Sequence, residues 1–295
     1  MEIRTNSPRA WLLASRPKTL TGAAVPVLIA LSAAWHEAPS DFLWLPAALC
    51  LLFALLMQVD ANLVNDYFDW ADGVDTAERL GPERAVAQGW VTPRAMRWGI
   101  TLVTLLSAAT GLPLVVWGGW KMVWVGLACV VCCFLYTLLF SRRALGDVLV
   151  LVFFGVVPVC CTYYVQLHTC PLLVVIASLA CGLVIDGLLI VNNYRDRDVD
   201  RRDGKMTLVV KLGARASEWL YLAIGIVAVL AGLLFWAHGH VLAFVLPLVY
   251  LVLHVFTWLK LRRIHEGRQL NECLGETARN IFVYGLCVTL GLLLV

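Results

Sequence analysis

The chain has 295 residues, of which 61% are apolar and only 15% are charged, and its mean hydropathy is +0.81. Hydropathy this high excludes an ordinary soluble domain and predicts a protein embedded in a lipid bilayer. The net charge of +3 is small, and the basic residues lie in short stretches next to apolar runs. This pattern argues against a nucleic-acid partner and favours contact with membrane lipids.

Nine mainly apolar runs follow one another along the chain. Each approaches the ~20 residues that a helix needs to cross a bilayer. They predict an all-α integral membrane protein with about nine transmembrane helices in one bundle. No Pro-, Gly- or Ser-rich linker divides the chain, so one polytopic domain over residues 1–295 is expected. The runs cover residues 20–35, 42–64, 98–120, 122–140, 147–166, 171–191, 217–237, 241–259 and 280–295.

Basic residues are distributed unequally between the two sides of the predicted bundle. Alternate connections carry 22 of the 23 Lys and Arg residues, and only Lys121 falls on the other side. Because cytoplasmic loops of membrane proteins are enriched in Lys and Arg, we expect a multi-pass cell-membrane protein whose N-terminus is cytoplasmic. The first 20 residues contain no short apolar core followed by a cleavage site, so no signal peptide is expected.

The positions of the ten cysteines predict side chains that pack in the membrane bundle, without a metal site or disulfides. Most lie inside apolar runs, including the adjacent pairs Cys132/Cys133 and Cys160/Cys161. Neighbouring residues on a helix point about 100° apart, which does not make a pair of metal ligands. We therefore interpret these thiols as small apolar side chains.

Two Asp-rich segments follow apolar runs that end on the same side of the predicted bundle. The first acidic segment is NDYFDWADGVD (residues 65–75), and the second acidic segment is NNYRDRDVDRRDGK (residues 192–205). Together they hold eight of the 20 acidic residues. Four predicted spans separate them, an even number, so both emerge on the cytoplasmic side. This arrangement is typical of a parallel repeat that places a site between two halves of a membrane protein.

Within each acidic segment the polar residues repeat with the spacing of one helix face. Those that share a face are Asn65, Asp66 and Asp69 in the first segment, with Asn62 just before it, and Asn192, Asp196 and Asp200 in the second. Unpaired carboxylates on one face repel each other, so a divalent cation is a natural partner. Mg²⁺ is commonly shared between one or two carboxylates and substrate phosphates. Solvated helix caps are the competing interpretation, which two matching clusters beside hydrocarbon disfavour.

Basic residues accompany both acidic segments. Positive-inside topology explains each of them separately, but together with the acids they predict a site that neutralises a diphosphate from several directions. Lys205 is suited to meeting a phosphate as a mobile point charge. The others near the two segments are Arg16, Lys18, Arg84 and Arg195.

Several segments resemble the UbiA-type integral-membrane prenyltransferases, and within them the branch that uses 1,4-dihydroxy-2-naphthoate in menaquinone synthesis. Besides the first acidic segment they are RPKTLTGAAVPVLIA (16–30), RLGPERAVAQG (79–89), RRALGDVLVLVFFG (142–155) and NNYRDRDVDRRDGKMTLVVKLG (192–213). The general first motif of the family, Asn-x3-Asp-x3-Asp, would place its last Asp at Gly73. The naphthoate branch has Gly there and Asp two residues later, as Gly73 and Asp75 do here.

The resemblance implies transfer of a polyprenyl group from an allylic diphosphate to the naphthoate ring, with loss of CO₂ and diphosphate, giving demethylmenaquinone. It also implies Mg²⁺ as cofactor. Its ligands and the catalytic acids would be Asp66, Asp69, Asp196 and Asp200, with Asp75 as a further ligand. Substrate contacts would be Asn65, Asn192, Lys205, Arg16, Lys18, Arg84, Arg143, Arg195 and Tyr194.

Other functions remain open from the residues alone. A related enzyme would use another acceptor, such as 4-hydroxybenzoate, homogentisate, a glyceryl phosphate or haem. A cation-coupled transporter would use Asp60 and Asp186 near the middle of the membrane, but the conspicuous acids lie at its boundary. A lipid-binding scaffold would not depend on Asp66 or Asp196.

Overall fold

The computed structural model describes residues 3–73, 80–137 and 144–294. These residues contain nine principal helices and no strand, and each predicted apolar run coincides with one helix. The helices are α1 Pro8–Glu37, α2 Trp44–Ala71, α3 Pro93–Gly118, α4 Lys121–Leu135, α5 Gly146–Leu167, α6 Leu172–Arg202, α7 Ala214–Ala237, α8 Val241–Ile264 and α9 Leu270–Leu293.

The all-helical membrane fold is confirmed, but the count of nine spans is not. Seven helices of the described chain are long and apolar enough to cross a membrane, namely α1–α3 and α5–α8. α4 has only 15 residues. α9 has 24 residues, but its N-terminal half carries Glu272, Glu276 and Arg279, which lower its hydropathy. The helix that contains the apolar run predicted from residue 280 therefore begins ten residues earlier, in a polar stretch.

α6 forms the centre of the bundle and α3 lies at its edge. In the most apolar stretch of α6, 67% of the residues are buried, compared with 17% in α3. Small residues bring α5 and α6 together: a Cβ on Gly155 would lie 2.5 Å from the Ser178 carbonyl oxygen and 2.8 Å from Gly182 Cα. Helices in lipid gain stability from such close packing, because burial from lipid supplies little hydrophobic driving force.

Both acidic segments lie at one end of the bundle, where α2 and α6 end; we call this end the acidic face. Exposed tryptophans occur near both ends of the helices. Trp98 and Trp219 lie near the acidic face, 67% and 49% exposed, and Trp44 and Trp120 lie near the opposite face, 70% and 78% exposed. Because tryptophan is enriched at membrane–water interfaces, this distribution agrees with helices that cross a bilayer.

α1 is broken near the acidic face. Its first part, Pro8–Ala14, is capped by Ser7, whose hydroxyl accepts a hydrogen bond from the Ala10 amide. Arg16 then adopts a left-handed backbone (φ 49°, ψ 68°), and Pro17–Thr19 forms a 3₁₀ turn before Leu20–Glu37 continues into the bundle. A positive φ is costly for a residue with a side chain, so tertiary contacts must hold Arg16 in this conformation.

Candidate functional site

The two acidic segments are extensions of regular helices beyond their apolar parts. α2 remains helical to Ala71 and α6 to Arg202, so the helical spacing predicted for their polar residues is present. Asn65 from the first segment and Asn192 from the second line the same cavity. The structure therefore brings the two segments to one opening at the acidic face.

Asp69 lies in an ion pair at this opening. Its Oδ2 accepts a hydrogen bond from Arg84 Nη2 and another, of 3.1 Å, from Asn65 Nδ2. The Arg84 side chain is 4% exposed and that of Asp69 is 23% exposed. Arg84 and Asn65 both line the cavity, so a cation and an amide flank the carboxylate where a ligand would enter.

Asp66 has a different environment, although it is only three residues away. It is 1% exposed. Its Oδ2 accepts a hydrogen bond of 2.9 Å from the Ala85 amide, and its Oδ1 accepts one of 3.0 Å from the Val86 amide. Both carboxylate oxygens thus hold the backbone that precedes α3, and this contact also positions the neighbouring Arg84 over the site. Each oxygen retains a second lone pair.

Arg195 organises the second acidic segment. Its Nε and Nη2 donate to the two carboxylate oxygens of Asp196, at 2.8 and 2.6 Å, and Nη2 also donates to Asn192 Oδ1 at 2.8 Å. Its Nη1 donates to Asn271 Oδ1 on α9 at 2.8 Å, and Asn271 Nδ2 donates to the Leu80 carbonyl at 2.8 Å. These hydrogen bonds connect the second segment, through α9, to the chain that follows the first segment.

Asp200 retains a carboxylate oxygen with unused capacity. Its Oδ1 lies 3.3 Å from Lys205 Nζ. Its Oδ2 is buried and has no hydrogen-bond partner among the described residues. A buried carboxylate oxygen without a partner is costly, and a divalent cation or a protonated ligand would satisfy it.

No group of three or more His, Cys, Asp or Glu residues within the described ranges is arranged to hold a metal ion. The protein alone therefore does not complete a closed metal cage in this part of the chain. The Asp200 Oδ2 without a hydrogen-bond partner among the described residues fits Mg²⁺, which usually takes one or two carboxylates and leaves the remaining positions to water and phosphate oxygens.

The remaining predicted substrate residues are placed differently from one another. Arg16 lines the cavity, whereas Lys18 is exposed and does not. Tyr194 is fully buried on another side of α6, where its hydroxyl donates to Glu218 at 2.7 Å and lies 3.0 Å from His265 Nδ1. The predictions for Asp75 and Arg143 fall outside the described residues.

A polar cluster deeper in the opening joins Asn62, which helical spacing had placed on the face of the acids, to Gln58 and Thr19, which were not predicted as part of the site. Asn62 Nδ2 donates to the Ser15 carbonyl and to Thr19 Oγ1, both at 2.9 Å. Gln58 Nε2 donates to Thr19 Oγ1 and to Asn62 Oδ1, both at 3.3 Å. A glutamine inside the apolar run 42–64 was the available signal. Asn271, by contrast, has no sequence signal, because it lies 76 residues after its partner Arg195.

The two buried acids in the apolar runs do not line the cavity. Asp60 is fully buried, and its Oδ2 accepts a hydrogen bond of 2.8 Å from Thr104 of α3. It therefore joins α2 to α3. Asp186 on α6 is also buried, and one of its oxygens has no partner among the described residues.

Below the opening, the cavity becomes apolar and extends far into the bundle. It has a volume of about 420 Å³. Along α2 it is lined from Asn65 to Cys50, which at the rise of an α-helix is a depth of about 22 Å. Leu114, Met122 and Val165 line it near the opposite face. Five of the ten free cysteines contribute to its wall, namely Cys50, Cys129, Cys132, Cys133 and Cys161.

This combination of features has counterparts among known proteins. The model of the UbiA prenyltransferase family matches residues 23–273. The 1,4-dihydroxy-2-naphthoate octaprenyltransferase of Mycobacterium tuberculosis is 32% identical over 282 residues, covering 94% of this chain and 94% of that protein. The protein of the same name from Haemophilus influenzae is 34% identical over 215 residues, covering 70% of each chain.

The fold also has a counterpart among solved structures. A UbiA homolog from Archaeoglobus fulgidus, solved bound to DMAPP and Mg²⁺, superposes with a TM-score of 0.61. The superposition covers 95% of this chain and 98% of that one, at 14% sequence identity. At this identity the likeness concerns the arrangement of the helices.

Proposed function

Because this chain belongs to the UbiA prenyltransferase family, we propose that it transfers a polyprenyl group from an allylic polyprenyl diphosphate to 1,4-dihydroxy-2-naphthoate. CO₂ and diphosphate are lost, and the immediate product is demethylmenaquinol, the reduced form of demethylmenaquinone. The observation that carries the proposal is one opening, flanked by both acidic segments, that leads into an apolar cavity about 22 Å deep. The names of the Mycobacterium tuberculosis and Haemophilus influenzae relatives support the choice of acceptor.

The diphosphate of the donor binds at the opening. Arg16 and Arg84 line it, and Arg195 and Lys205 belong to the second segment. Arg84, Arg195 and Lys205 each pair with a carboxylate, of Asp69, Asp196 and Asp200 respectively. The arriving phosphates compete with the carboxylates for these cations. Guanidinium and ammonium groups held in place before the donor arrives stabilise the negative charge that grows on the leaving diphosphate.

Among the described residues, the predicted acids do not line the cavity themselves, but they lie on the same helix ends as Asn65 and Asn192, which do. Asp69 and Asp200, together with Asp66 and Asp196, would hold Mg²⁺, which supplies Lewis-acid stabilisation of the leaving diphosphate when it is bound. The solved relative bound to DMAPP and Mg²⁺ supports this cofactor for the family. Asn65 donates to the Asp69 carboxylate, Asn192 accepts from Arg195, and both amide groups line the cavity where they can meet the phosphates.

The apolar cavity receives the isoprenoid tail. Its walls are side chains without strong hydrogen-bonding groups, such as Ala54, Met57, Phe153 and Val157. A tail packed there excludes water from the allylic carbon, which suppresses hydrolysis before the electron-rich ring attacks. The polar cluster of Gln58, Asn62 and Thr19 lies between the opening and this apolar part, at the level where the reacting carbon must sit.

The direct test is an assay of the purified, reconstituted protein with an allylic polyprenyl diphosphate, 1,4-dihydroxy-2-naphthoate and Mg²⁺. We expect a prenylated, decarboxylated naphthoquinol, detected by mass spectrometry and lost when EDTA is added. Replacing the acceptor by 4-hydroxybenzoate or homogentisate should give no product. Efficient prenylation of either one would keep the reaction class but contradict the proposed acceptor. Solute uptake into vesicles without any donor would contradict the enzyme.

The proposal includes a cell-membrane location with the acidic face in the cytoplasm. Cys170 offers a natural probe, because it is exposed beside the opposite face, in the turn between α5 and α6. A membrane-impermeant maleimide should label Cys170 in intact cells once the reagent can reach the outer side of the cell membrane. Cys170→Ser should abolish the labelling. Labelling only after the cells are lysed would reverse the orientation.

A further inference from the structure

A second recess lies at the acidic face, outside the site described above. It is formed between the first turns of α7 and the last turns of α8. Three of its residues are arginines and one is a glutamate. The wall residues are Ala214, Arg215, Glu218, Leu259, Arg262, Arg263 and His265.

Arg262 is held in place by aromatic rings. Its guanidinium carbon lies 5.6 Å from the centre of the Trp219 ring and 4.9 Å from that of the Trp258 ring. The centres of the two indole rings are 5.1 Å apart. Such stacking suits a planar guanidinium and orders it at low entropic cost. Arg262 Nε also lies 3.5 Å from Glu218 Oε2. A fixed cation thus stands at the wall of the recess.

The only carboxylate in the wall is already engaged. Glu218 Oε1 accepts a hydrogen bond of 2.7 Å from the Tyr194 hydroxyl and lies 3.3 Å from His265 Nδ1, while Oε2 faces Arg262. Arg215 and Arg263 are exposed and make no ion pair within the described part of the chain. The recess therefore carries an excess of positive charge that the protein does not neutralise there.

An apolar stripe leads from the recess along α8 into the membrane region. Val252, Phe256 and Leu259 are 55%, 64% and 48% exposed, and they are followed by Arg263. The spacings of four, three and four residues place all four side chains on one face of the helix. A cation at the end of a lipid-facing apolar stripe complements an anionic phospholipid. The cation can meet the phosphate at the interface, and the stripe can meet an acyl chain below it.

We propose that this recess binds the phosphate group of an anionic phospholipid in the leaflet at the acidic face. Arg215, Arg262 and Arg263 receive the phosphate, and an acyl chain lies along the stripe from Leu259 to Val252. Basic recesses between transmembrane helices are known to receive anionic lipid headgroups. The indoles of Trp219 and Trp258 occupy the interfacial depth at which tryptophan is favoured.

The proposal differs from the general attraction of basic loops to anionic membranes. Arg94 and Arg97 on α3 are also exposed near the acidic face, beside the exposed Trp98. They do not line this recess. They therefore provide a matched control pair with the same charge at the same end of the bundle.

The test is lipid titration of the delipidated, full-length protein in detergent, followed by native mass spectrometry. The probes are phosphatidylglycerol, phosphatidylcholine and inorganic phosphate. We expect one phosphatidylglycerol to bind more tightly than the others, and the Arg215→Gln/Arg263→Gln protein to bind it about 10-fold or more weakly. The Arg94→Gln/Arg97→Gln protein should bind that lipid like the parent. Arg262→Lys, which retains the charge but not the planar fork, should weaken binding several-fold.

Three results would overturn the proposal. Equal weakening in both double variants would reduce it to general charge attraction. Equal binding of phosphatidylcholine would remove the role of net charge. Displacement of the lipid by inorganic phosphate at concentrations comparable to the lipid would make the recess a free-phosphate site. Melting temperatures of all variants check that lost binding does not reflect lost folding.

Discussion

The two acidic segments are similar in sequence, but their carboxylates have different partners in the folded protein. In the first segment, Asp66 is buried against the Ala85 and Val86 amides, and Asp69 pairs with Arg84 from the following loop. In the second, Asp196 pairs with the adjacent Arg195. Asp200 keeps a buried oxygen with no hydrogen-bond partner among the described residues.

This difference indicates a division of roles. The first segment holds a loop over the opening as well as facing it, because its acids bond to residues 15 to 20 positions away. The second segment is neutralised mainly by cations of its own helix end, so its carboxylates are more available to a ligand. Matching substitutions in the two segments should therefore have unequal effects on stability and activity.

The largest effect is expected for Asp200→Asn. This change removes a negative charge while keeping the shape, and it breaks no hydrogen bond to Oδ2 among the described residues. Prenyl transfer should fall by about 100-fold or more, while the melting temperature should stay the same or rise. Asp198→Asn is the matched control, because Asp198 is two residues away and 67% exposed. Full activity of Asp200→Asn would contradict its role as a ligand.

Asp66→Ala should reduce stability more than any other change in the two segments. It deletes two hydrogen bonds from backbone amides to a buried carboxylate, which together contribute about 3 kcal/mol or more. Thermal unfolding in detergent measures this loss, and Asp69→Ala provides the comparison within the same segment. If Asp66→Ala abolished activity but unfolded like the parent, the anchoring role of Asp66 would be wrong.

Gly126→Leu should separate long donors from short ones. Gly126 lines the cavity one helical turn from the opposite face, and a Cβ added there meets no atom within 4 Å. The new side chain fills space that only a long tail reaches. The ratio of kcat/KM for a long polyprenyl diphosphate to that for geranyl diphosphate should fall about 10-fold.

The control for this cavity variant is Gly275→Leu on α9. Gly275 is exposed and equally free of neighbours within 4 Å, but it does not line the cavity. It should leave the ratio unchanged. An equal loss for both donors in Gly126→Leu would place the tail elsewhere.

The smallest effect is expected for Asn271→Leu, which breaks the connection between the two halves of the site. Arg195 and the Leu80 carbonyl each lose a hydrogen-bond partner, worth about 1 kcal/mol apiece. The donor KM should rise a few-fold with kcat nearly unchanged, because the change loosens the opening and leaves the carboxylates in place. Gln269→Leu, an exposed neighbour, is the control. A change in kcat alone would contradict a positioning role.

Much of the site was predictable from local patterns. Helical spacing within residues 65–69 and 192–200 placed the acids on extended helix ends, and an even number of spans placed both ends on one side. Arg16 and Arg84 were identified as basic neighbours, and both line the cavity. Tyr194 was assigned to the substrate from the resemblance, although helical spacing puts it on a different face from Asn192. In the structure it faces Glu218, whereas Asn192 lines the cavity. Which side of a buried helix meets the cavity depends on the packing of its neighbours.

The sequence by itself determined that the protein is embedded in a lipid bilayer, that it is helical, and at which end of the bundle the acids lie. These properties follow from hydropathy, helical periodicity and the unequal distribution of charge, which act over a few residues or whole segments. Only the tertiary structure decided the partner of each acid, the hydrogen bonds that pass through Asn271, and the depth of the cavity. These depend on contacts between residues far apart in the chain, and those contacts form only when the helices have packed.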